Sequence, residues 1–203
     1  MSKAKVRDLF DTLSYGPCPE SDAAVKAWIA AAPSPRGVFI DNQWKAVESR
    51  KVTDSISPAD KKVLGPVLEG TDADIAEAVE SAKKAQVAWA ALSPHERAKH
   101  LYSVARHCQK HARLLAVVEA LDNGKPFRET KSSDVPLLIR HFYYMAGWAQ
   151  VAEEEFPDYK PVGVVGAIVP WYVHCSLSCF FSSPYNLARV KMISTQNNLG
   201  SAV

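Results

Sequence analysis

The chain of 203 residues is poor in cysteine, and Cys18, Cys108, Cys175 and Cys179 are too scattered to build a disulfide scaffold. That predicts reduced thiols and a cytoplasmic setting. It has no long hydrophobic run. No apolar core of the signal-peptide kind follows Met1-Ser-Lys-Ala-Lys, and no stretch reaches membrane-spanning length, so no membrane association is expected. An excess of one charge is absent too: 24 Lys and Arg against 22 Asp and Glu leave a net charge of +2. The bases form no stripe or cluster, which argues against nucleic acid as a partner. Among its 9 glycines there is no Gly-x-Gly-x-x-Gly and no Gly-x-x-x-x-Gly-Lys, the two common glycine cradles for phosphate. What is present, 47% hydrophobic and 23% charged residues, places the chain among soluble globular proteins. Its length suits one ordinary domain.

Two short helices are predicted first, over Val6 to Leu13 and Ser21 to Ala32. Ser21 followed by Asp22 supplies a cap for the second, and Val25, Trp28 and Ile29 an apolar face. The prolines of Tyr15-Gly-Pro-Cys-Pro separate the two. In Gly37 to Val47, two β-prone runs flank Asp41-Asn42, residue types that tolerate the positive φ of a tight hairpin. A second hairpin is expected to turn at Pro58-Ala59-Asp60. The period then becomes helical. Thr71 starts a helix with Ile75, Val79, Ala82 and Trp89 on one face. Ser93, Pro94 and Glu96 open another with a capping box, and Leu101, Ala105, Cys108, Ala112 and Leu115 recur at core spacing until Asn123-Gly124 stops it. A third helix, roughly Val135 to Glu154, buries Leu138, Phe142, Met145 and Ala149. Val162 to Val169, apolar without alternation, reads as a strand buried on both faces. Hairpins, three helices and one such strand predict the opening of an α/β domain, incomplete because a parallel sheet needs several βα units.

Candidate chemistry is sparse. His100, His107 and His111 fall near one helix face, but no carboxylate or cysteine joins them at a ligand spacing, and they flank an apolar stripe as ordinary boundary residues. No metal site is expected. His174, Cys175 and Cys179 offer thiols without a strand-turn-helix setting, and read as bystanders. Cys108 sits on a core stripe as a small hydrophobe. Gly163 and Gly166 suggest close approach to a strand by another backbone or a ligand.

Three stretches carry a resemblance: Asp122-Asn-Gly-Lys-Pro126, Tyr144-Met-Ala-Gly-Trp148 and Pro161-Val-Gly-Val-Val-Gly-Ala-Ile-Val-Pro-Trp171. With Phe39-Ile-Asp-Asn-Gln-Trp44 and Ile56-Ser-Pro-Ala-Asp60, they resemble, in order, the N-terminal part of an NAD(P)-dependent aldehyde dehydrogenase. Leu9 to Ser21 resembles the N-terminus of family 16 of that superfamily. The resemblance implies an α/β fold with a Rossmann-like cofactor domain, of which this chain holds the hairpins, three helices and first strand. Residues 1–36 are then an N-terminal helical extension, 37–171 a partial aldehyde dehydrogenase domain, and 172–203 a divergent tail, non-native or disordered. It further implies NAD or NADP as cofactor, with Ile168, Val169, Pro170 and Trp171 lining the cofactor cleft. In the family an asparagine follows this tryptophan and stabilises the oxyanion as a cysteine thiolate attacks the aldehyde. Here the position holds Tyr172, a longer and rigid phenol. The family's nucleophile and general-base glutamate are expected downstream of this chain's end, so no catalytic residue is carried onto it. The change after Trp171 reads as an intron, a shifted frame or a mis-predicted gene model, giving a truncated product. Possible partners implied are full-length aldehyde dehydrogenase subunits or another protein.

Overall fold

The computed structural model describes residues 21–31, 37–45 and 50–166. Helix α1 (Ala23–Ala31) opens where Ser21 Oγ accepts from the Ala23 amide at 3.4 Å, and it buries Val25. The helix expected at Val6 to Leu13 lies outside the described residues.

Strands β1 (Val38–Ile40) and β2 (Gln43–Lys45) pair antiparallel around Asp41 and Asn42, whose φ values of 53° and 60° are the left-handed pair a two-residue hairpin needs. Strands β3 (Val52–Ile56) and β4 (Val63–Leu68) form a separate antiparallel pair, with a bulge between Ser55 and Ile56. Their turn runs through Pro58 to Asp60 as expected. It is closed by Lys61 N–H to Ser57 O at 2.8 Å and Ser57 N–H to Lys62 O at 2.9 Å.

Helix α2 (Asp72–Ala90) begins in a capping box: Thr71 Oγ1 accepts from the Asp74 amide, and Asp74 Oδ2 accepts from the Thr71 amide at 2.7 Å. Its buried stripe is Asp74, Ala78 and Ala82, a rotation from the expected Ile75, Val79, Ala82 and Trp89 face that leaves Ile75 exposed. The reason is electrostatic as well as steric. Arg50 draws Asp74 inward, and the small alanines let the helix lie close to β1. Lys45 to Glu77 (2.8 Å) and Ser81 Oγ to Asp41 (3.3 Å) fasten the first hairpin to the same helix.

Helix α3 (Pro94–Lys110) carries the expected Ser93/Glu96 capping box with Pro94 in its first turn. The single long helix predicted from there to Asn123 is two. At His111 (φ −104°, ψ 18°) the backbone leaves the helical region, and α4 (Ala112–Asn123) starts anew beyond it. No proline or glycine marks this break. Its physical basis is that the two halves have different main partners: α3 packs along α6, whereas α4 packs chiefly on the turn at Thr130 and also meets α1 and α6. Helix α4 ends at Gly124, φ 78°, whose amide donates to Ala120 O at 3.0 Å.

A short turn α5 (Phe127–Glu129) and a π-helical turn (Thr130–Asp134) lead into α6 (Val135–Glu155), at the expected place. The core lies between α3 and α6. Ala98, Leu101, Ala146 and Ala149 are buried there, covered by Tyr102, Phe142 and Met145. Three alanines bring the two helices close together, and Leu101 fills the space they leave.

The predicted strand at Val162 is not formed within the described part: Pro161 to Gly166 join no sheet, and Gly163 has φ 110°, outside the strand region. A strand exists by its ladder, and no described strand lies beside this one to supply it. Ala167 to Val169 lie outside the described residues.

Candidate functional site

The residues assigned to the cofactor cleft, Ile168, Val169, Pro170 and Trp171, lie outside the described residues, as do Tyr172, His174, Cys175 and Cys179. The described residues form the platform that leads to them.

One side of that platform is the loop after α4. Asn123 Oδ1 accepts from the Lys125 amide at 2.8 Å, while its Nδ2 donates to the buried Glu119 at 2.7 Å. Lys125 Nζ reaches Asp134 at 2.5 Å, and Thr130 Oγ1, fully buried, donates to Ala116 O at 2.8 Å. The π-helical turn is what brings Thr130 and Asp134 inward together. A π-turn adds one residue to the helical repeat and rotates the side chains that follow. Across the loop, Ser55 Oγ donates to Asp122 at 2.8 Å, and a Cβ on Gly124 would lie 2.6 Å from Pro58 Cγ. The Asp122-Asn-Gly-Lys-Pro motif is thus a joint: it locks the second hairpin, α4 and α6 to one another. Sequence reading found the motif but not its polar partners, because Thr130 and Asp134 gave no periodic signal.

A second joint is Arg50 with Asp74. The guanidinium donates to both carboxylate oxygens, Nη1 to Oδ2 at 2.7 Å and Nη2 to Oδ1 at 2.9 Å, with side chains 15% and 8% exposed. Burial alone would push the Asp74 carboxyl up. The Arg50 hydrogen bonds, the Thr71 amide and hydroxyl, and the Arg50 charge outweigh it and hold the group below its ordinary value. Thr71-x-x-Asp74 was legible as a helix start. That its aspartate also anchors Arg50 was not.

Ahead of the residues assigned to the cleft come α6 and the turn beyond it. Phe156 and Tyr159 are linked by the Tyr159 amide to Phe156 O at 3.1 Å, and Pro161 to Gly166 then run out towards Ile168. Among the described residues a side chain at Gly163 or Gly166 would meet nothing within 4 Å, so no close approach is seen there; Gly163 is required instead by its positive φ. Of the histidines, His100 lies against Trp89 (5.5 Å between centroids), and His107 beside His111 (5.1 Å). Among the described residues no three His, Cys, Asp or Glu side chains gather as metal ligands. Cys108 is half-buried, and burial pushes its thiol up, away from the thiolate form that a nucleophile needs. None of the described helices is long and apolar enough to cross a membrane.

Comparison with known proteins gives this platform its context. A model of the aldehyde dehydrogenase family matches residues 44–184. An aldehyde dehydrogenase of Paracoccus denitrificans is 33% identical over 156 residues, covering 72% of this chain and 31% of the relative. The putative aldehyde dehydrogenase DhaS of Bacillus subtilis is 36% identical over 146 residues, covering 66% and 30%. Among solved structures, a Bacillus cereus aldehyde dehydrogenase in complex with NAD+ superposes with a TM-score of 0.72 at 28% identity, covering 84% of this chain and 36% of that one. An apo indole-3-acetaldehyde dehydrogenase does so with 0.71 at 27%, covering 84% and 42%. The chain therefore spans under a third of the length of those curated relatives, and its hairpins and helices are the N-terminal portion of their fold. By a match that covers more than half its length, the chain belongs to the aldehyde dehydrogenase family.

Proposed function

We propose that the chemistry behind this chain is oxidation of an aldehyde to a carboxylic acid with NAD(P), and that the 203 residues do not perform it alone. The observation that carries the reading is the family match over residues 44–184, read together with Tyr172. A nicotinamide, when bound, accepts the hydride that the aldehyde carbon loses. The protein must supply a thiolate to attack that carbon, a donor to hold the resulting oxyanion, and a base to activate the water that releases the acid. Tyr172 stands where the donor amide belongs, and a phenol cannot place its hydroxyl where a short amide places its N–H. Cys175 and Cys179 do not match the nucleophile's motif. The role of this chain is the N-terminal layer of that fold: α3 and α6 pack on each other ahead of Ile168 to Trp171, the residues that the resemblance assigns to the cofactor cleft. Its setting is cytoplasmic, and its affiliation within the superfamily is with family 16.

The test is direct. The purified chain, given NAD or NADP and a panel of aliphatic and aromatic aldehydes, produces no reduced nicotinamide above the blank. Turnover that thiol alkylation abolishes would overturn this. A second reading, a non-catalytic partner of full-length aldehyde dehydrogenase subunits, is favoured by the exposed aromatic side chains of α6. Retention of a full-length aldehyde dehydrogenase on the immobilised chain is its expected result, and absence of retention removes it.

A further inference from the structure

The last turn of α6 breaks a local rule. A helix C-terminus carries a partial negative charge, and cations are favoured there. This one ends in Glu153-Glu154-Glu155, with Asp158 just beyond and no basic residue in the last turn. Glu153 is answered by Arg97 from α3. Glu154, Glu155 and Asp158 are exposed and enter no ion pair shown among the described residues. Lys160 is the one opposing charge close by in sequence. Like charges gathered at the negative end of a helix cost stability, and such violations of local rules concentrate at functional sites.

The same helix and the turn after it carry a row of aromatic rings. Tyr144 meets Trp148 at 6.2 Å, Trp148 meets Phe156 at 5.7 Å, and Phe156 meets Tyr159 at 5.7 Å. Tyr144 is 60% and Tyr159 70% exposed. Both lie on the same helix and turn as the acids, on a face that the α3 core does not use.

From these two features we propose that the C-terminal end of α6 is a docking surface for a protein segment bearing arginine or lysine. This rests on the reading of the chain as an interaction partner. The charge complementarity is specific. A guanidinium or ammonium would find carboxylates, the outward carbonyls of the last helical turn and the faces of aromatic rings, all of which favour a cation. Nucleic acid and anionic bilayers, being negative, are repelled by the same surface.

The test uses the full chain and a fluorescein-labelled oligoarginine peptide, followed by anisotropy, with oligoglutamate as control. Oligoarginine is expected to bind, and added salt to weaken it by screening. The triple variant Glu154→Gln, Glu155→Gln, Asp158→Asn should weaken binding about tenfold or more, and Tyr159→Ser or Trp148→Leu roughly two- to thirtyfold, the range of a cation over an aromatic face. Tyr159 is the safer site, since its exposure lets the fold survive the change, which circular dichroism would confirm. Asp72→Asn with Glu80→Gln on α2 should change nothing. Equal weakening by the α2 pair, binding that ignores both aromatic changes, or no binding at all would overturn the proposal. So would a dimer, seen by light scattering, that the triple variant abolishes, because the face would then belong to a second copy. Oligoarginine binding without retention of an aldehyde dehydrogenase removes only the choice of that enzyme as partner. Retention that the triple variant leaves intact removes this surface instead.

Discussion

The substitution Asp74→Asn isolates the most consequential polar contact in the described fold. The side chain keeps its shape but loses its charge, and with it the two-pronged contact to Arg50 (2.7 and 2.9 Å) and one acceptor of the α2 capping box. Breaking a fully buried ion pair on one side costs about 3–5 kcal/mol. At 15% and 8% exposure this pair is nearly but not wholly dry, so the cost falls at about the lower end of that range. Weakening the cap adds roughly 0.5 kcal/mol, the low end for such sites because asparagine still accepts. The expected loss is therefore about 3.5 kcal/mol in urea unfolding followed by far-ultraviolet circular dichroism near neutral pH.

The same change alters the acid limb. Because the Asp74 carboxyl is held below its ordinary value in the folded state, its contribution is fully present above the unfolded-state value. It is lost as pH falls through the folded one. Wild type should therefore lose stability towards acid more steeply than Asp74→Asn, and the two curves should converge at the acid end. Glu69, Glu80 and Glu96 are also held low by their partners and contribute a common slope to both proteins, so the difference between the curves is the informative quantity. Equal stability of the two proteins at neutral pH, or parallel curves down to acid, would refute the reasoning.

Two further substitutions test the joint and the core. Gly124→Ala forces a side chain onto φ 78° and drives its Cβ to 2.6 Å from Pro58 Cγ; the left-handed backbone alone costs about 1–2 kcal/mol, so a loss at or above that is expected in urea unfolding. Leu101→Ala empties the space between α3 and α6 and should cost about 2–5 kcal/mol, nearer the upper figure because neighbouring alanines cannot swing in to fill the cavity.

Local grammar was read correctly wherever a signal acts over a few residues. Asp41-Asn42 demanded a left-handed turn, Ser93-Pro94 with Glu96 demanded a helix start, and Asn123-Gly124 a helix stop; each is where it was expected. The misses share a cause. The break at His111, the rotated face of α2 and the π-turn at Thr130 are imposed by partners distant in sequence. Arg50 is 24 residues from Asp74, and Ser55 is 67 from Asp122. Periodicity carries no information about such pairs, and an aspartate at N3 of a capping box looks the same whether or not an arginine awaits it.

The candidate site was legible to a different degree. Ile168 to Trp171 were assigned to a cofactor through resemblance alone, since an apolar run with two glycines names no ligand by its chemistry. The neighbouring segment shows why physics alone stopped there. Val162 to Gly166 have the composition of a buried strand, yet join no ladder, because β structure is a property of pairs and its partners must come from elsewhere in a fold. Helices α3 and α6 differ in that each closes its own hydrogen bonds and needs only a face to pack against, which the other provides. Among the described residues that asymmetry separates the packed helices from Pro161 to Gly166, and the aromatic row, Glu154 and Glu155 lie at the join. The end of α6 is also where the proposed docking surface lies, so the oligoarginine measurement tests it at that point.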